Sequence, residues 1–184
     1  MTPGTGRART ARLLLAGAGA VALCLTLTPA AGASGRNEIS TQDRCDPATF
    51  NAVLGPGACV AQGRGTVTFP KFLDKLNAAD GGHGAWRFSR EDTHIDRGTS
   101  LHVANTGGET HSFTEVVSFG AATLPGTEPL NAALPAGTPA VVPAPGDPHF
   151  LGPGASVDIA ALAPGTHRFQ CLIHPWMRSV VEVR

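Results

Sequence analysis

Beyond Ala85 the chain is cut into short runs by four turn signals: Asp96-Arg97-Gly98, Thr106-Gly107-Gly108, Gly152-Pro153-Gly154 and Ala163-Pro164-Gly165. Between them, apolar and polar residues alternate with the period of a strand. Trp86-Arg87-Phe88, Thr93–Asp96 and Ser100–Asn105 read this way, with Leu101 and Val103 on one face. So do Thr110–Phe119, Ser156–Ala160, His167–Cys171 and Ser179–Arg184. Short strands spaced by Gly/Pro turns predict an all-β antiparallel sandwich or barrel. Glycine (23) and proline (15) make up about a fifth of the 184 residues, below the roughly 25–30% that marks a disordered chain.

The remaining segments are less regular. Residues 34–65 read as a Gly-rich, irregular extension with a short helix at Pro47–Leu54. Thr66–Phe69 reads as a strand, and Pro70 opens a helix to Ala79 with Phe72, Leu73 and Leu76 on one face. Residues 120–152 form a Pro-rich insertion, and its stretch 120–150, without lysine or arginine, suits a long loop or cover better than a central strand. Fourteen basic residues balance fourteen acidic ones, which argues against a nucleic-acid binder.

The N-terminus has the order of a secretory signal: Arg7, Arg9 and Arg12, an apolar run from Leu13 to Leu27, then Ala31-Gly32-Ala33. Cleavage is expected after Ala33, so residues 1–33 are the signal, 34–65 the extension and 66–184 the main domain. A retained anchor is the competing reading, but fifteen helical residues span about 22 Å against roughly 30 Å of hydrocarbon. No stable membrane insertion is therefore expected, and the expected location is outside the cytoplasm, in the periplasm or cell envelope. The mature chain would keep 11 basic and 14 acidic residues.

Of the four cysteines, Cys24 would leave with the signal. Cys45 and Cys59 flank a segment containing Pro47, Gly55, Pro56 and Gly57. In an oxidising compartment the pair is expected to form a disulfide stabilising the fold by ~3 kcal/mol. Cys171 is then left alone, and its neighbours suggest a use for it.

Gln170-Cys171-Leu172-Ile173-His174-Pro175-Trp176-Met177 places a thiol, an imidazole and a thioether within seven residues at a strand end. A strand would point Cys171 and His174 to opposite faces, so a tight loop helped by Pro175 must converge them. Thiolate plus imidazole suits copper or zinc, and a thioether favours copper. A second imidazole would complete a trigonal set with a weak axial methionine. His111, opening the Thr110–Phe119 strand, is the best candidate, with His102 and His149 as replacements; Met177 has core packing as its other reading. His83, His94 and His167 read as surface residues, and Glu115 as a solvated or outer-shell acid.

The pattern Cys-x2-His-x2-Met, with proline straight after the histidine, resembles the ligand loop of the cupredoxins, in particular the short amicyanin-type loop. The stretches Phe88–Asn105 and His111-Ser112-Phe113 resemble the family as well, as does Pro153 to Cys171; the likeness covers about residues 85–119 and 152–184. It implies a cupredoxin-like Greek-key β-sandwich, one type 1 copper, equatorial ligands His111, Cys171 and His174, and axial Met177. It also implies electron entry at the edge of His174, ringed by Pro175 and Trp176. The N-terminal extension with its disulfide and the Pro-rich insertion depart from compact members.

Four protein ligands leave no open position for a substrate, unlike catalytic metal sites. The expectation is therefore a one-electron carrier meeting a transient redox-partner protein, with extracytoplasmic copper storage or delivery as the second reading. An oxidase would need histidines flanking the cysteine; here Gln170 and Leu172 stand there.

Overall fold

The computed structural model describes residues 1, 35, 37–62, 65–76, 82–120 and 149–184. The chain divides into two units, Met1–Gly32 and Ala33–Arg184, and every element named below lies in the second. The expected signal and most of the Pro-rich insertion lie outside the described residues.

Two four-stranded sheets carry the fold. The first is ordered β2 (Arg87–Phe88), β1 (Glu38–Gln42), β4 (Leu101–Asn105) and β8 (Ser156–Ile159). The second is ordered β3 (Asp92–Ile95), β10 (Arg178–Val183), β9 (Gly165–Gln170) and β6 (Thr114–Val116). A two-stranded ribbon pairs β5 (His111–Ser112) with β7 (Phe150–Leu151). Neighbours are antiparallel except β1 with β4 and β10 with β3. The inward faces follow from the alternation: β4 buries Leu101, Val103 and Asn105, and β10 buries Ser179, Val181 and Val183.

Residues from both sheets form one core. Ile39, Leu101 and Val103 from the first meet Ile95, Phe169 and Val181 from the second. Phe113 bridges them, fully buried, with its ring 5.0 Å from Phe88 and stacked 4.3 Å from Phe169. The architecture is mostly β, a two-sheet sandwich with two short helices.

Four local expectations need correction. Glu38–Gln42 is a sandwich strand and not part of an irregular extension; Ile39 and Thr41 are fully buried, but a polar run (Ser40, Thr41, Gln42) hides that period in the sequence. Thr66–Phe69 contributes one parallel bridge, Cys45 to Val67, because the second helix already begins at Phe69. That helix, α2 (Phe69–Lys75), caps at Leu76, and the expected stretch to Ala79 lies outside the described residues. Thr110–Phe119 breaks at Phe113, which turns into the core between β5 and β6.

The first helix, α1 (Pro47–Leu54), follows elementary capping rules. Asp46 accepts a hydrogen bond from the Thr49 amide at 3.0 Å, and Pro47 occupies the first turn. Phe50 points inward and meets Phe69, Phe72 and Trp86. The Cys45–Cys59 disulfide forms as expected, and Asn51 clasps Cys59 by donating to its carbonyl and accepting from its amide.

Replacing Phe113 by alanine removes the ring joining the two sheets. The expected loss is about 3–5 kcal/mol, read as a fall in the denaturant midpoint at unchanged slope. A loss below about 1 kcal/mol would show that the sheets do not depend on it.

Candidate metal centre

The β9–β10 connection, residues 171–177, is closed by its own backbone. Cys171 donates its amide to the Met177 carbonyl at 3.1 Å, and Met177 donates its amide to the His174 carbonyl at 2.8 Å. The Arg178 guanidinium ties down the Pro175 carbonyl at 3.0 Å. This turn brings His174 back over Cys171, so the imidazole Nδ1 lies 3.7 Å from the sulfur.

The second sheet and the ribbon deliver the other imidazole. β6 runs antiparallel to β9 with Thr114 opposite Gln170, and the Gln170 amide bridges both backbone groups of Gly120. Ser112 accepts from the Leu172 amide through its hydroxyl. With the two segments pinned, His111 Nδ1 sits 4.0 Å from Cys171 Sγ. The Ser112 and His174 amides also donate to that sulfur, at 3.3 and 3.4 Å.

His111, Cys171 and His174 thus offer one sulfur and two nitrogens, all within 4.8 Å of one another, and all three residues are buried. Met177 is buried as well. His102 instead pairs with Asp158, and neither it nor His149 belongs to this cluster. His94 is exposed beside Glu182. His83 and His167 differ from the surface reading: His83 is half-buried and stacked on Phe72, and His167 binds both Glu115 and the Ala163 carbonyl.

What lies behind the imidazoles was not visible in the motif. Asp43 accepts from His111 Nε2 at 2.8 Å, and also from the amides of Cys45, Gly108 and Glu109. Glycines make that approach possible: a Cβ on Gly107 would fall 2.1 Å from the Asp43 carboxylate, and one on Gly108 2.7 Å from Cys45 Sγ. Glu109 lies 3.7 Å from His174 Nε2 and accepts from the Trp86 indole. An isolated acidic residue between strands carries no sequence signal of this kind. The pairing of each buried imidazole with a carboxylate depends on β1 and the 105–109 turn meeting.

The charges are coupled. For Asp43, burial alone would raise the carboxyl, but His111 and the converging amides hold it down at about 2. For His111, burial opposes protonation, yet Asp43 and Cys171 raise it to about 9. Burial would also raise the Cys171 thiol; the two imidazoles overcome this and hold it well below the ordinary thiol range. A sulfur of thiolate character facing two imidazole nitrogens fits a soft metal ion. His111 and His174 would hold such an ion through Nδ1, since each Nε2 faces a carboxylate.

His174, at whose edge electron entry is expected, lies beneath its neighbours. The edge of His174 does not reach solvent: the residue is 1% exposed. Glu109 and Trp86 stand on its Nε2 side, and Trp176 packs edge-on at 5.5 Å between ring centres. The physical reason is the segment before β2, which places the wholly buried Trp86 against Phe50 and Phe72 and beside this end of the sandwich.

No protein-family model matches the sequence. No curated protein matches it. Among solved structures, the chain is similar to a purple cupredoxin from Nitrosopumilus maritimus at 19% identity, covering 59% of this chain and 93% of that one, with a TM-score of 0.39. It is also similar to a Cu(I) amicyanin mutant at 17% identity, over 53% of this chain and 73% of that one, with a TM-score of 0.35. A copper-containing nitrite reductase from Thermus scotoductus SA-01 is similar at 20% identity and a TM-score of 0.34, over 53% of this chain and 20% of the reductase. The strand order itself defines a β-sandwich, and cupredoxins are among the solved structures similar to it.

The Asp43 shift has a testable sign. Its folded-state value lies below the ordinary 3.8, so its contribution to stability is complete above about 4 and is lost as pH falls toward about 2. Metal-free protein should therefore show a steeper acid limb, between pH 4 and 2, than Asp43→Asn in urea midpoints. Identical acid limbs would contradict the pairing.

Proposed function

We propose that this chain is a mononuclear copper protein that passes single electrons, held by His111, Cys171 and His174 with Met177 as the weak axial donor. The observation carrying the reading is the closed donor set: one thiolate and two imidazole Nδ1 atoms within 4.8 Å of one another, every residue buried. Copper bound there would supply a one-electron couple between Cu(I) and Cu(II), since thiolate and thioether favour the first state and imidazole accepts the second. The residues do the rest. The two amides on Cys171 Sγ fix the sulfur, and Asp43 fixes the His111 ring. Among the described residues all four proposed ligands are buried, in contrast to a catalytic metal site, which keeps a position open. That closure favours electron carriage over catalysis.

With His174 buried, electrons are proposed to pass by way of Trp176, which is partly exposed and packs edge-on against the His174 ring. A partner would meet this end of the sandwich in a weak, transient encounter. The Cys45–Cys59 disulfide suits an oxidising compartment, in keeping with export of the mature chain. Among the described residues, no helix is long and apolar enough to cross a membrane.

Copper-loaded protein is expected to show an intense visible band from thiolate-to-Cu(II) charge transfer, and Cys171→Ser to abolish it. Survival of the band in that variant would contradict the assignment. Met177→Leu is expected to keep one copper per chain while shifting the reduction potential in voltammetry; an unmoved potential would assign Met177 to packing.

A further inference from the structure

We infer that Glu109, steadied by Trp86, is a positioning residue for His174. The inference rests on the copper reading above and extends it to a residue that no ligand motif contains. Glu109 is 7% exposed, and a carboxylate so placed is costly unless partners surround it. Its Oε2 accepts the Trp86 Nε1 proton and lies 3.7 Å from His174 Nε2. Its own backbone is tied at both ends: the amide donates to Asp43 at 3.0 Å, and the carbonyl accepts from the Asn105 side chain at 2.7 Å. The side chain is therefore delivered to the imidazole by a fixed turn.

The ring geometry gives this contact its meaning. His174 turns Nδ1 toward Cys171 and Nε2 toward Glu109. A neutral imidazole that gives Nδ1 to a metal carries its proton on Nε2, and that proton faces the Glu109 carboxyl group across 3.7 Å, an electrostatic contact longer than a hydrogen bond. A carboxyl group there favours the tautomer with its proton on Nε2 and raises the basicity of the ligating nitrogen. Asp43 does the same for His111, and the two carboxylates meet through the Glu109 amide. Trp86 cannot move freely either, since its ring lies 4.5 Å from Phe72 and 5.7 Å from Phe50.

The test compares copper affinity and reduction potential in wild type, Glu109→Gln, Glu109→Leu and Trp86→Phe. Glu182→Gln, at the exposed pair with His94, is the control. Affinity is read by chelator competition, and folding is checked by circular dichroism. Glu109→Leu is expected to weaken Cu(II) binding 10–100-fold and to raise the potential. Glu109→Gln keeps the shape and should raise the potential with a smaller loss of affinity. Trp86→Phe, which removes the indole donor and keeps an aromatic ring, should move both in the same direction. Wild type that binds copper while Glu109→Gln and Trp86→Phe match it in affinity and potential would overturn the positioning role and leave the copper reading standing. Wild type that takes up no copper would overturn both.

Discussion

The structure turns on one buried sulfur. Cys171 Sγ has no solvent to stabilise negative charge, yet the thiol is held far below its ordinary range. Its partners come from two elements: the Ser112 amide and the His111 imidazole from the ribbon, and the His174 amide and imidazole from its own loop, with the ring nitrogens at 4.0 and 3.7 Å. None would be in place without the β6–β9 register and the closed 171–177 turn. Removing any one of them leaves a charged group in the core with one fewer counterpart, and such groups are expensive to leave unpaired.

From that sulfur the constraint passes outward. His111 is turned by Asp43, and Asp43 is held by three amides of which two, Gly108 and Glu109, belong to the turn before His111. The disulfide packs against Gly108, and Val60 donates its amide to the Gly108 carbonyl at 2.7 Å. Residues ahead of β2 thus reach the back of the site, Asp43 just after β1 behind His111 and Trp86 on the side of His174. Glu109, backed by Trp86, and Trp176 surround His174, which is buried.

The readable part of the sequence was the part with short-range order. Alternation in Ser100–Asn105 and Ser179–Arg184 appears as β4 and β10, and the Asp46-Pro47 start of α1 is a local capping signal. Cys171 and His174 stood out because one loop carries both, and His111 because its strand had to end nearby. Asp43 and Glu109 escaped because they pair with histidines 68 and 65 positions along the chain, and Trp86 because it acts through Glu109, 23 positions away. β1 escaped because Thr41 is polar yet wholly buried, so its inward face does not look apolar. The break at Phe113 was hidden for a related reason: the residue satisfies the strand pattern while its ring leaves the sheet to join the two layers.

X-ray absorption at the copper edge, on protein loaded with one equivalent of copper, reads the proposed donor set directly. The account requires one sulfur and two imidazole nitrogens in the closest shell, with the sulfur contribution lost when Cys171 is replaced by serine. A shell built from nitrogen and oxygen alone, or copper that washes away on gel filtration, would contradict it.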